Sequence, residues 1–562
     1  MVARFLLISL NIDAILEEVT IQARRKKLEE MTKGKGLGDA YTSTLTRIKS
    51  QNGSKSRIGM EALMWISHSE RPLKARELCQ ALGVERGETD QKSWDIPAIE
   101  TVLRYSLGLI TIEASSSTVR LVHFTLQEHL SHASLFYSPH SMMAEICLTF
   151  LNFQCVKNLS TTLDSPPVSA LFVGYASCYW GTHARKELSK RTISLALMLL
   201  DGYEKHISSK LFLIHERGWW WHYYKKKGHN AGEGFTGLHG AAYLGIVEIM
   251  GLLLKKPEWD VNSTDKEGNT PLAWAVRKGN EDIARMLLAR KDVNPNTASV
   301  GGRTPLMRAA RYGHKGMVEK LLERTDVDLN RRDKSGQTAL YMAAEYGRGG
   351  VVDILVKRTD INPNTIEGNG WTPLSRAIWK GHLGVVKTLL ELGDIEPDKE
   401  DARGLTPLSL AARDGREAVI KMLLQRTDVN PNTANISGDT PLLLAATSGH
   451  GGVVKALLAR ADVDPNTPNK YGQTPLSGAA RKGCEGVVRM LLERDDINPK
   501  AADLAGDTAL SQAVMCEHPA IEKLLCEHKN SIPTSGTDKS TTLPSPQPPV
   551  KYQRPFKRIR RF

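Results

Sequence analysis

The side chains of this 562-residue chain that could do chemistry are sixteen histidines, seven cysteines and one glycine-rich run with a lysine. The run, Gly34-Lys35-Gly36-Leu37-Gly38, has the composition of a phosphate cradle. Such a cradle needs Gly-x-x-x-x-Gly-Lys-[Ser/Thr] between a strand and a helix, so that backbone N–H groups surround the phosphates. That spacing is absent, no strand precedes the run, and it reads as a plain turn. The histidines show no His-Glu-x-x-His spacing, and no serine stands in Gly-x-Ser-x-Gly. His314, His382 and His450 each follow a glycine at a regular interval, which points to a structural role. His123 falls on an expected strand and His129 on the helix after it. Asp292, Asp360 and Asp428 recur in turns and read as turn formers. Cys79, Cys147, Cys155, Cys178, Cys484, Cys516 and Cys526 are odd in number, scattered and free of Cys-x-x-Cys. That pattern fits a reducing compartment, without a disulfide framework or zinc site. No cofactor and no metal is expected, and the chain reads as non-enzymatic.

The elements that position these residues follow a period. From 234 to 526 one pattern recurs nine times, every 34 residues. Its anchors are Thr236, Thr270, Thr304, Thr338, Thr372, Thr406, Thr440, Thr474 and Thr508, each with Gly at −2 and Leu at +2. Threonine suits a helix N-cap, where its hydroxyl accepts an orphan backbone N–H. Proline at the first helical position, as in Pro271 and Pro407, gives up no hydrogen bond there. Small pairs such as Ala309-Ala310 let a neighbouring helix come close, and glycine at +9, in eight of the nine copies, can end the helix at positive φ. A second helix carries an apolar stripe such as Val385, Val386, Leu389 and Leu390. A turn like Asp428-Val429-Asn430-Pro431-Asn432 closes the unit. Leu408 is an expected core residue.

These units resemble ankyrin repeats, a turn followed by two antiparallel helices. The resemblance implies a mainly α fold, a solenoid of nine units of 34 residues. The family's Thr-Pro-Leu-His is complete only to the extent that His239 stands in the first unit; Ala273, Met307, Tyr341, Ser375, Ser409, Leu443, Ser477 and Ser511 occupy that place elsewhere. The ninth unit has Ala509 for proline and Glu517 for the glycine, as suits a terminal cap.

Before the repeats the pattern changes. Residues 1–55 read as two helices, the first carrying Ile12, Ile15, Leu16, Val19, Leu28 and Met31, the second over Tyr41–Ile48. Between 56 and 135 three helices (Ile58–Ser67, Ala75–Leu82, and one starting near Asp95-Ile96-Pro97) precede strands Leu109–Glu113 and Val119–Phe124. Thr125-Leu126-Gln127-Glu128 has capping-box spacing for a further helix. Arg71-Pro72-Leu73, Glu77-Leu78 and Val119–Glu128 resemble the winged-helix module that follows the NTPase core in fungal NACHT–ankyrin proteins. Residues 1–55 then look like the tail of that core. No Walker A sequence occurs, so the chain reads as such a protein without its motor, through natural truncation or an incomplete gene model. Residues 136–230 read as a helical linker and cap, with Trp219-Trp220-Trp221-His222-Tyr223-Tyr224-Lys225-Lys226-Lys227 packing on the first unit. The repeat domain spans 231–528. Residues 529–562, polar and then basic, read as a disordered tail.

Hydrophobic content of 41% and charged content of 24% are those of a soluble protein. The run Phe5–Leu10 is too short for a secretory core, and Leu195–Leu200 is far short of a membrane span. The expected place is the cytosol, with the nucleus as an alternative through the basic end of the tail. The net charge of +13 suits an acidic partner.

The ankyrin resemblance implies that partner contacts come from hairpin tips and the concave end of the first helix, at positions −1, +7 and +8. Those places hold Arg303 and Trp371 at tips, and Arg277, Lys278, Arg311, Tyr312, Tyr346, Trp379, Lys380, Arg413, Arg481 and Lys482 on helices. Arginine and aromatics are enriched in interfaces. Cations at helix ends also complement the dipole, which accounts for Arg277 and Lys278 but not for the aromatics. The expected function is a protein-binding scaffold in a NACHT-type signalling context. The alternative is a nucleic-acid regulator using the winged helix, the Trp-Tyr-Lys cluster and the tail.

Overall fold

The computed structural model describes residues 19–32, 37–85, 96–132, 135–160, 170–217 and 234–531. The expected helix before Val19, the Gly34-Lys35-Gly36 turn, the Trp219–Lys227 cluster and the tail from 532 lie outside them. Leu37 and Gly38, expected in that turn, instead open the helix Leu37–Lys49. The last helix, Pro519–Ser531, runs past the expected boundary at 528. The chain forms two compact bodies, Met1–Pro407 and Leu408–Phe562. Among the described residues the only sheet has two strands, and no helix is long and apolar enough to cross a membrane.

In the first body, helices Gly53–His68, Ala75–Leu82 and Ile99–Tyr105 precede strands β1 (Ile110–Glu113) and β2 (Thr118–Leu121). β-Branched residues suit these strands, and they pair antiparallel with Ile110 opposite Leu121 and Glu113 opposite Thr118. The motif around Arg71-Pro72-Leu73 has a definite job. The Glu77 carboxylate accepts two N–H groups of Arg71 at 2.8 and 2.7 Å and the backbone N–H of Lys74 at 2.9 Å, bracing the turn and capping Ala75–Leu82. Val119 N–H then bonds the Leu73 carbonyl at 2.9 Å, which ties the hairpin to that turn. Two expectations fail here. β2 ends at Leu121, short of Phe124, and the next helix starts at Phe124, so Thr125 is not its cap. His123 Nδ1 instead accepts the Thr125 N–H at 3.3 Å.

Helices Pro139–Leu151, Phe172–Lys186, Lys190–Leu200 and Ile207–Arg217 bridge this module to the repeats. Trp65, fully buried, packs edge to face on Phe172 and Tyr175 at 5.5 and 5.8 Å. On the other side Phe212 meets Tyr243 edge to face at 4.6 Å, and Tyr203 lies 6.0 Å from Phe235. Leu200, Tyr203 and Phe212 therefore cap the first unit. The backbone at Gly237 passes so close to the Leu200 carbonyl that a Cβ there would collide with its oxygen.

Each repeat is built as its residues dictate. The threonine hydroxyl accepts the N–H three residues on, for example Thr270 from Ala273 at 3.2 Å and Thr440 from Leu443 at 3.2 Å. Where the family histidine is absent, serine can replace it: Thr372 and Thr474 donate their N–H groups to Ser375 and Ser477 at 2.8 and 2.9 Å. His239 does the same for Thr236 at 3.1 Å. The +9 glycine adopts positive φ in all eight units that have it, and Glu517 takes φ 58° in the ninth.

The recurring histidines owe their place to this glycine. His382 lies under Gly347 of the preceding unit and reaches the Glu345 carbonyl at 3.0 Å; His450 lies under Gly415 and reaches the Arg413 carbonyl at 3.1 Å. A Cβ on either glycine would meet the ring at 2.7 Å. Each ring thus satisfies a helix-end carbonyl that would otherwise lack a partner. The recurring aspartates are more than turn formers. Asp292, Asp360 and Asp428 pair with Arg290, Arg358 and Arg426, two residues earlier, at 2.6, 3.2 and 2.7 Å. Hydrogen bonds from those arginines hold the three carboxyls below the usual range. Arg290 and Arg460 extend further, to the Leu254 and Leu424 carbonyls of the preceding units.

Candidate functional site

The first helices of successive units pack side by side within each body. Equivalent positions therefore fall in rows, and a side chain three or four residues from a row reaches the next unit. The densest cluster stands where unit five meets unit four. Trp371, on the hairpin tip, and Trp379, in the last turn of helix Pro373–Lys380, meet edge to face at 5.5 Å. The Arg376 guanidinium lies 4.7 Å from the Trp379 ring and 5.4 Å from the Trp371 ring. Lys380 Nζ stands 4.6 Å from Trp379. Arg376 is itself held by Glu345 of unit four, with Nη2 and Nε donating to Oε1 at 2.5 and 3.2 Å. One row on, the Arg311 guanidinium covers Tyr346 at 4.9 Å.

Trp379, Tyr346 and Tyr312 are 38%, 39% and 38% exposed, while Trp371 is half-buried. The Trp379 and Tyr346 rings are thus exposed beneath cations, of which Arg376 is itself anchored by Glu345. Each such cation–ring contact contributes roughly 0.5–1 kcal/mol at an exposed site. More to the point, the rings are ordered before a partner arrives, which lowers the entropic cost of docking.

The other expected contact residues divide. Arg277 packs on the buried Trp274 ring at 4.9 Å. Lys278 covers Tyr243 at 4.3 Å and pairs with Glu216 at 3.0 Å. Arg303 reaches Asp333 at 3.4 Å, and Arg413 is paired with Asp414 at 2.9 Å, so neither is a free cation. Arg481 and Lys482 are exposed on the second body. Positions −1, +7 and +8 alone miss Arg308 and Arg376, which stand at +4 of units three and five. The signal was there: arginine occupies +4 in only these two units, three residues before +7 and so on the same helix face.

The buried thiols are poor nucleophiles. Burial raises Cys79 to about 11 and Cys178 to about 12, and raises Cys147 as well, which keeps them protonated; all seven cysteines are free. Among the described residues no group of three or more His, Cys, Asp or Glu is arranged to hold a metal ion.

Comparison with known families agrees with this geometry. The profile described as Ankyrin repeats (3 copies) matches residues 209–299, 238–333, 306–401, 395–469 and 461–536. The chain belongs to the ankyrin-repeat family. The ankyrin matches together run from 209 to 536, more than half of the sequence. Residues 46–138 match the profile described as GPI inositol-deacylase, winged helix domain, which covers the three helices, the β1–β2 hairpin and the helix after it. No curated protein matches the chain. Ankyrin repeats support a role in protein interaction.

Proposed function

We propose that this ankyrin protein is a non-catalytic scaffold that holds an acidic protein partner on the first-helix ends of units three to five. The observation that carries the reading is the exposed Trp379 ring, ordered by Trp371, Arg376 and Lys380. Aromatics flanked by arginine are the usual anchors of interfaces. The winged-helix match over residues 46–138 supports a place in NACHT-type signalling, and on this reading the chain works in the cytosol. On this reading the chain binds no nucleoside triphosphate, because no Walker A sequence is present to hold one. Calorimetry of the full chain with ATP or GTP and Mg²⁺ should give no saturable heat; micromolar binding would show that another loop does this work.

Trp379→Ala tests the surface itself. Proteins retained from native lysate by the full wild-type chain and by the variant would be compared, and the affinity of each acidic one measured. Losing an anchor of this kind should cost about 2 kcal/mol or more, a roughly thirtyfold weakening seen mainly as faster dissociation. Circular dichroism should not change, since the side chain faces water. Equal retention of every partner at equal affinity would remove this surface from consideration.

A further inference from the structure

Arg308 and Arg376 hold the same +4 position, two units apart, yet their surroundings carry opposite charge. Position +4 of one unit faces +7 of the unit before it. For Arg376 that neighbour is Glu345, whose carboxylate it binds at 2.5 Å. For Arg308 the neighbour is Arg277, a like charge. The −1 side chain differs too, Trp371 beside Arg376 and Arg303 beside Arg308.

Among the described residues no carboxylate is paired with Arg308. Its Nη2 donates to the neutral Asn269 Oδ1, and its buried Nε has no partner. Asp265 is close enough to be felt, but its oxygens are occupied. Oδ1 accepts the backbone N–H groups of Glu267 and Asn269 at 2.9 and 2.8 Å; Oδ2 accepts Trp274 Nε1 at 3.0 Å and Asn269 Nδ2 at 2.9 Å. Asp333 is engaged by Arg303. Among the described residues no carboxylate forms an ion pair with Arg308 or with Arg277. Burial first, and then the Arg277 charge, hold the Arg308 pKa below its ordinary value. A half-buried guanidinium facing a second arginine is costly unless an anion joins them.

We propose that Arg277 and Arg308 form a receptor for a carboxylate side chain of an acidic peptide segment, a place that Glu345 fills from within the chain one pair of units further on. The Glu345–Arg376 pair shows what this position accepts: a carboxylate binding guanidinium N–H groups at hydrogen-bond distance. The proposal rests on the reading of these helix ends as a partner surface, and it names the chemistry that the surface recognises there.

The test uses the full chain and a fluorescein-labelled hexaglutamate peptide, with hexaglutamine and inorganic phosphate alongside. Wild type should bind hexaglutamate saturably and with strong salt dependence, and bind hexaglutamine at least tenfold more weakly. Arg277→Glu should do two things at once. It should supply the missing internal carboxylate, raising the melting temperature by about 2–4 °C, the shift expected from one added interaction of ordinary size. It should also reduce hexaglutamate binding by tenfold or more. Arg308→Met keeps the length of the side chain and removes the charge, and should lose the peptide without that rise. Unchanged peptide binding in both variants overturns the proposal, as does an Arg277→Glu chain that melts no higher than wild type. Phosphate binding at the wild-type site with no hexaglutamate binding overturns the peptide assignment. Trp379→Ala should leave the Arg277→Glu shift intact, so failure of the aromatic surface and failure of this site are told apart.

Discussion

Lowering the pH from 7 to 5 should remove about 4 kcal/mol of stability from the body that contains His183 and His206. Both imidazoles are buried and neutral. His183 bonds His140 Nδ1 at 2.9 Å through one nitrogen and the Tyr175 hydroxyl at 2.9 Å through the other. His206 reaches the Leu151 carbonyl at 3.0 Å and the Ser208 hydroxyl at 2.6 Å. Burial pushes His183 down to about 3 and His206 down to about 4. In the unfolded chain each titrates near 6.5. The unfolded state therefore binds more protons between those values, and stability must fall with falling pH in that window. The contribution is fully present above the unfolded pKa and shrinks as pH drops toward the folded one. Each group contributes about 2 kcal/mol of the loss at pH 5. His140 and His239 are also lowered, burial being the first cause, and act in the same direction. Urea unfolding at pH 7 and pH 5, followed by tryptophan fluorescence, measures the difference. His183→Gln removes one titrating group and should cut the pH dependence by roughly half relative to wild type. Identical pH dependence in the two proteins would mean that His183 is not held neutral.

Leu340→Ala should cost about 2–5 kcal/mol, the usual result of deleting a large apolar side chain from a packed core. Leu340 is fully buried in the first helix of unit four, which packs on the first helices of units three and five. It is the +2 leucine of the repeat, so the loss falls on both neighbouring seams. In a solenoid each unit is stabilised chiefly by its neighbours, so the damage weakens coupling between the units on either side. Urea unfolding of the variant should broaden or split into two steps where wild type shows one. A midpoint and slope equal to wild type would mean that the 34-residue phase misplaces the core. Leu408 is equally buried in the second body, and its truncation should cost a similar amount there.

The repeat and its phase were legible because the signals are local. A threonine caps the N–H three residues on, and a glycine at +9 admits positive φ within the turn it ends. The apolar stripe lies on one helix. Such features depend on side chains within about one helical turn of each other, so a single chain displays them. The winged helix was legible for the same reason, but its edges were not. Thr125-x-x-Glu128 has the spacing of a capping box, yet the helix begins one residue before Thr125. Hairpin length and packing decided that boundary, not local propensity.

The chemistry of the surface was decided by tertiary structure. Arg376 meets Glu345 across 31 residues, and His382 meets the Glu345 carbonyl across 37. These separations are the 34-residue period less or plus three, the offset of one helical turn between stacked units. A sequence read one unit at a time shows neither pairing. Nor does it show that Arg308 faces Arg277 where Arg376 faces glutamate, or that His140 and His183 meet across 43 residues with no period to announce them. Local residue types determined the solenoid, its caps and its core. Which charges oppose one another is set by the offset between units, and that offset exists only once the helices have packed.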